Sequence, residues 1–97
     1  LVYQAEGCPL FGAFVAPTIL EKSKNLVWDE EIFGPVAVVT AFEGEEEGLQ
    51  LANQSQYGLG GGVFSQDPVR LERVLNQLEA GFVVANDVVR SEAGLPF

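Results

Sequence analysis

Pro35-Val36-Ala37-Val38-Val39-Thr40-Ala41-Phe42 runs straight into Glu43-Gly44-Glu45-Glu46-Glu47, and this junction decides the fold. A nearly unbroken apolar run after a proline is the pattern of a strand buried on both faces, as in a parallel sheet. The three consecutive carboxylates favour the positive end of a helix, which is expected to start near Gly44 and run to about Asn53, weakened somewhat by Gly48. A solvated acidic first turn accounts for Glu45 to Glu47 better than a metal site does, because no histidine or other ligand cluster accompanies the run.

Upstream, Phe14-Val15-Ala16-Pro17-Thr18-Ile19-Leu20 is β-prone apart from its proline, which predicts a strand ending or an edge position. The polar stretch Glu21 to Asn25 reads as a turn. Downstream, Tyr57-Gly58-Leu59-Gly60-Gly61-Gly62-Val63-Phe64 ends in a short strand whose glycines permit close packing. It is not a dinucleotide fingerprint. From Gly58 the third glycine position is Val63, from Gly60 it is Ser65, and the strand-to-helix context is missing.

Asp67 is a helix cap with Pro68 at the first helical position. Leu71, Val74, Leu75 and Leu78 recur at i, i+3, i+4 and i+7, a stripe suited to a sheet face. Gly81 is the expected helix stop, and Phe82-Val83-Val84-Ala85 reads as another buried strand. The resulting order is strand, helix, strand, helix, strand. It predicts an α/β fold with parallel strands joined by right-handed crossovers. No regular structure is expected from Asn86 to Phe97. That segment leaves the carboxyl end of a strand, where ligands collect in open α/β sheets, and the Asn86 side chain is suited to tying down loop backbone there.

Fourteen acids against five bases give a net charge of −9, and Lys22 and Lys24 are the only neighbouring bases, so nucleic acid and anionic membrane are unsuitable partners. No apolar run approaches the roughly 20 residues of a membrane-spanning helix, and a cytoplasmic protein is expected. The single cysteine, Cys8, agrees with a reducing compartment. Histidine is absent, so acid–base chemistry near neutral pH would need a shifted carboxyl, amine or thiol. Ninety-seven residues hold at most one modest domain. Without a methionine at the start, and with Leu95-Pro96-Phe97 at the end, both termini read as cuts through a larger domain.

Taken together, Phe14-Val15-Ala16-Pro17-Thr18-Ile19-Leu20, Glu30-Glu31-Ile32-Phe33-Gly34-Pro35-Val36, Leu51-Ala52-Asn53, Tyr57-Gly58-Leu59 and Leu95-Pro96-Phe97 resemble the aldehyde dehydrogenase superfamily in order and spacing. The resemblance covers essentially residues 1–97, as the C-terminal portion of a catalytic domain. It implies NAD- or NADP-dependent oxidation of a small-molecule aldehyde to a carboxylate by a homo-oligomeric enzyme. The family's nucleophilic cysteine, its general-base glutamate and its Rossmann-like domain all precede the matched region. This chain is therefore expected to hold no catalytic residue and no metal site, and to be inactive alone. Cys8, between Gly7 and Pro9 and beside Glu6, matches neither the family's nucleophile motif nor an activated setting. Gly60-Gly61-Gly62 is richer in glycine than the family's usual small-residue run, and Ala85 is smaller than the usual branched residue.

Four residues carry the implied site. Glu31 corresponds to the glutamate that accepts hydrogen bonds from the nicotinamide ribose hydroxyls, a task that suits two acceptor oxygens. Phe33 corresponds to the aromatic residue beside the nicotinamide ring. Phe97 matches an aromatic residue lining the aldehyde tunnel. The loop Asn86-Asp87-Val88-Val89-Arg90-Ser91 looks most like that of succinate-semialdehyde dehydrogenases, in which a serine at the Ser91 position bonds the distal carboxylate. Arg90 would strengthen that contact and Glu92, if turned inward, would oppose it. An alternative from another class is a freestanding, non-catalytic module that keeps the fold for oligomerisation or ligand binding.

Overall fold

In the computed structural model, residues 2–22 and 30–95 are described. The chain divides into two compact units, Leu1–Phe42 and Glu43–Phe97. In the first unit, β1 (Tyr3–Gln4), β2 (Thr18–Glu21) and β3 (Val36–Val39) form a sheet in that order. β1 runs antiparallel to β2, with Tyr3 opposite Ile19, while β2 and β3 are parallel, with Thr18 opposite Val36 and Glu21 opposite Val39.

Pro17 marks the start of β2, not an edge. It has no N–H to donate, but its carbonyl accepts from Ala5 N at 2.9 Å, and Thr18, the first residue able to donate, bonds the Pro35 carbonyl at 2.9 Å. β2 is consequently the central strand of its sheet, against the edge position expected from the proline. The apolar run at Val36 is also less buried than its composition implies. Val36 is half-buried but Ala37, Val38 and Val39 are exposed, and the strand stops at Val39 instead of continuing to Phe42. The turn expected from Glu21 to Asn25 lies outside the described residues beyond Lys22.

The second unit contains α1 (Glu45–Asn53), β4 (Gly60–Val63), α2 (Pro68–Leu75) and β5 (Phe82–Ala85). β4 and β5 are parallel and paired residue by residue from Gly60–Phe82 to Val63–Ala85, with α2 as the crossover packed on both. The β2–β3 and β4–β5 pairs are parallel, as the sequence predicts; the described strands form two sheets, and β1 adds an antiparallel strand to the first.

Each helix has a local chemical reason to begin where it does. Gly44, the N-cap of α1, has a positive φ of +80° that a side chain would disfavour, and the Glu47 carboxylate reaches back past it to accept from the Glu43 backbone N–H. Ahead of α2, Asp67 Oδ1 accepts from Val69 N at 3.0 Å and Arg70 N at 3.2 Å, as the sequence predicts. Leu71, Val74, Leu75 and Leu78 are all half-buried, and Leu78 packs on Gly61 of β4. The helix ends at Leu75, six residues before the expected stop at Gly81. Gly81 instead opens β5, donating to the Gly58 carbonyl at 2.7 Å. β5 alternates half-buried with exposed residues and is not covered on both faces.

Two close approaches account for the glycine-rich strand. A Cβ on Gly58 would lie 2.6 Å from the Glu79 carbonyl oxygen, and one on Gly60 would lie 2.7 Å from Val89 Cγ1 and 2.8 Å from the Phe82 ring. Neither position has room for a side chain.

Candidate functional site

Of the four residues expected at the site, three are described and they belong to different units. Glu31 and Phe33 lie on irregular backbone before β3. Val36 N donates to the Gly34 carbonyl at 2.8 Å across Pro35, a tight three-residue turn that ends this segment and starts the strand. Both residues are exposed, Phe33 to 91%, so the aromatic ring is not spent on packing among the described residues of its unit.

Ser91 lies in the other unit, on the segment leaving the carboxyl end of β5, and is exposed. Phe97 lies outside the described residues. The chain from 86 to 95 has no helix or strand, as expected, yet it is heavily tied. Asn86 has a left-handed backbone, φ +53°, which reverses the chain at the end of β5. Its Oδ1 accepts from Ser65 N at 2.8 Å and its Nδ2 donates to the Ser65 carbonyl at 3.0 Å. Asp87 Oδ1 accepts from Val88 N at 2.7 Å. Next to Ser91, the Arg90 guanidinium donates to Glu92 Oε1 at 3.2 Å and stands 3.8 Å from Asp87 Oδ2. Glu92 is thus turned towards Arg90, and Arg90 is already balanced by two carboxylates.

The exits of β4 and β5 share a shallow hollow of about 730 Å³, lined by Phe64, Ser65, Gln66, Pro68, Leu71 and Asn86. Asn86 and Ser65, the two ends of the clamp, line it together with Pro68 and Leu71 of α2. Sequence reasoning put the ligand-facing end of the fold here but gave no sign that Ser65 would be the partner of Asn86, because a backbone partner leaves no mark in residue type.

A second amide clamp holds the opposite pole of the β4–β5 pair. Asn53 Nδ2 donates to the Gln77 carbonyl at 2.8 Å and its Oδ1 accepts from Glu79 N at 3.0 Å, fixing the end of α1 to the strap between α2 and β5. The two helices are also joined by charge. Glu45 receives both Nε and Nη2 of Arg73, at 2.5 and 2.6 Å, and lies 3.3 Å from Arg70 Nε. The Arg73 hydrogen bond holds the Glu45 carboxyl below its ordinary range, and the same contact raises Arg73. The first turn of α1 is therefore not simply solvated: Glu45 is an inter-helix ligand for two arginines.

Cys8 is a half-buried free thiol that follows Gly7, whose φ is +76°. Among the described residues no group of three or more histidine, cysteine, aspartate or glutamate side chains could hold a metal ion, and no helix is long and apolar enough to cross a membrane.

Residues 4–97 match the model of the aldehyde dehydrogenase family. The chain belongs to this family. It is 49% identical over 88 residues to the NADP(+) succinate-semialdehyde dehydrogenase of Deinococcus radiodurans, covering 89% of this chain and 18% of that protein. It is also 49% identical over 78 residues to a probable betaine aldehyde dehydrogenase of Schizosaccharomyces pombe, covering 78% of this chain and 16% of that protein. Among solved structures, PnpE from Pseudomonas sp. WBC-3 superposes with a TM-score of 0.84 at 35% identity, over 93% of this chain and 20% of that one. Betaine aldehyde dehydrogenase from Staphylococcus aureus, solved in complex with NAD+, gives 0.81 at 43% identity over 89% and 17%. This member of the aldehyde dehydrogenase family thus spans less than a fifth of the two curated relatives' length.

Proposed function

We propose that this chain acts as the C-terminal part of the catalytic domain of an NAD(P)-dependent aldehyde dehydrogenase, with Glu31 and Phe33 facing the cofactor and the loop after β5 facing the substrate. The family match over residues 4–97 carries the reading. The exposure of Glu31 and Phe33 supports it: a carboxylate with two acceptor oxygens and an unpacked aromatic ring, two residues apart, suit a ribose diol and a flat heterocycle. When bound, NAD or NADP supplies the acceptor for the aldehyde's hydride. In this reading, Glu31 accepts from the ribose hydroxyls of the nicotinamide half and Phe33 lies beside the ring. Ser91 and Phe97 face the aldehyde. The thiol that attacks the carbonyl comes from outside residues 1–97, so Cys8 is not the nucleophile and the 97-residue chain alone turns over no aldehyde.

Succinate semialdehyde is the proposed substrate, with the Ser91 hydroxyl donating to its distal carboxylate. A cationic aldehyde is the competing substrate class. It is favoured by the pairing of Arg90 with both Asp87 and Glu92, which leaves two acids against one base around Ser91. Steady-state kinetics of Ser91→Ala in the complete polypeptide, with succinate semialdehyde, an uncharged aldehyde of equal length and a trimethylammonium aldehyde, decide between them. Loss of a charged hydrogen bond, about 1.5–3 kcal/mol, should lower kcat/KM for succinate semialdehyde roughly tenfold to a hundredfold and barely affect the other two. Equal losses on all three, or none, remove Ser91 from the site. Cys8→Ser should leave every rate unchanged.

A further inference from the structure

We infer that Asn86 is a positioning residue, whose side-chain amide locks the exits of β4 and β5 to each other and so sets where Ser91 stands against the aldehyde. The inference rests on the reading of residues 86–95 as substrate wall. Three observations form one continuous support. The left-handed backbone of Asn86 reverses the chain at the end of β5, a conformation that asparagine tolerates better than almost any residue with a side chain. Its amide then meets both the N–H and the C=O of one residue, Ser65, at 2.8 and 3.0 Å, an arrangement that fixes rotation as well as distance.

Having turned, the chain folds back over β4. The Val89 methyl groups stand over Gly60 and Gly62, so close that a Cβ on Gly60 would come within 2.7 Å of one of them. The extra glycine of this strand is therefore a seat for Val89. From Asn86 to Val89 the loop is pinned at both ends, and the Arg90–Glu92 pair flanks the next residue, Ser91, with Arg90 also 3.8 Å from Asp87 Oδ2. A one-residue slip or a freed turn at Asn86 would move Ser91 within its own unit.

The test uses the complete polypeptide carrying this segment. Asn86→Gly keeps the left-handed turn and removes only the amide; Asn86→Asp keeps the acceptor for Ser65 N–H and loses the donor. For Asn86→Gly the Ser65 amide should exchange faster with solvent, and kcat/KM for the aldehyde should fall roughly tenfold to a hundredfold through misplacement, with cofactor affinity unchanged. Asn86→Asp should fall between Asn86→Gly and the wild type. Unchanged aldehyde kinetics in Asn86→Gly overturn the inference, and so does an equal loss of aldehyde and cofactor affinity, which marks general loosening. Should Asn86→Gly fail to fold, Asn86→Asp decides alone, an aldehyde-specific loss supporting the inference and wild-type kinetics overturning it. Ser91→Ala separates this inference from the reading beneath it. If Ser91→Ala is silent while Asn86→Gly is aldehyde-specific, Asn86 positions the loop but the placement of Ser91 against the aldehyde is overturned; the opposite pattern removes the clamp and keeps Ser91.

Discussion

The two units support their proposed site residues in opposite ways. Before β3, Glu31 and Phe33 hang on exposed irregular backbone, ended by the tight turn at Pro35. After β5, Ser91 follows a loop held by the Asn86 clamp, the Val89 seat and the Arg90 pairs, on a two-stranded sheet with a capped crossover helix. The difference separates function from stability. Substitutions in the first segment should alter binding with little effect on folding, whereas substitutions beneath the second should act on both.

Among the substitutions below, the largest stability effect is expected at Gly60→Ala. The new methyl group meets Val89 and the Phe82 ring inside van der Waals distance, and overpacking of this kind typically costs about 1–3 kcal/mol. Hydrogen exchange of the β4 and β5 amides should show the loss, and wild-type protection there would mean that Val89 is not seated on the strand. Asp67→Ala should cost about 1 kcal/mol by leaving Val69 and Arg70 N–H without their cap, read from exchange along α2.

Glu45→Gln tests the tie between α1 and α2 through its pH dependence. The Glu45 carboxyl is lowered from its ordinary 4.5 by Arg73, so the native state favours the charged form. Its stabilisation is present above about pH 4.5 and is lost as pH falls through the lowered native value. The difference between wild type and Glu45→Gln should shrink over that acid range, and a gap independent of pH would show that charge is not what joins the helices. The pair is solvent-accessible, so the effect is small. Smallest of all is Phe33→Ala: at 91% exposure the ring supports nothing within its unit, and stability should change by less than about 0.5 kcal/mol while cofactor binding weakens. A large destabilisation would make Phe33 a packing residue and weaken the contrast between the units.

The elements that announce themselves locally were legible in the residues. Asp67-Pro68 gives the α2 start, Gly44 with three glutamates gives α1, and the short β-prone runs give β3, β4 and β5 within a few residues. What failed was burial. Val36-Ala37-Val38-Val39 reads as a doubly covered strand, but whether a face is covered depends on partners that composition does not name, and three of these residues are exposed. Gly81 misled for a related reason. A glycine ends a helix or opens a strand with equal ease, and the choice was made by the Gly58 carbonyl 23 positions away in sequence. For the proposed site, the motif runs point to Glu31, Phe33 and Ser91. The partners that hold the Ser91 loop, Ser65 and the glycines of β4, became visible only once parallel pairing brought the two strand exits side by side.

The central claim is that Glu31 belongs to a cofactor clamp, and equilibrium binding of NAD and NADP to Glu31→Gln in the complete polypeptide tests it most directly. The amide puts a donor where the ribose hydroxyls need an acceptor. Loss of one charged hydrogen bond, about 1.5–3 kcal/mol, predicts a dissociation constant raised roughly tenfold to a hundredfold with the β4–β5 exchange pattern unchanged. Wild-type affinity for both nucleotides would contradict the assignment.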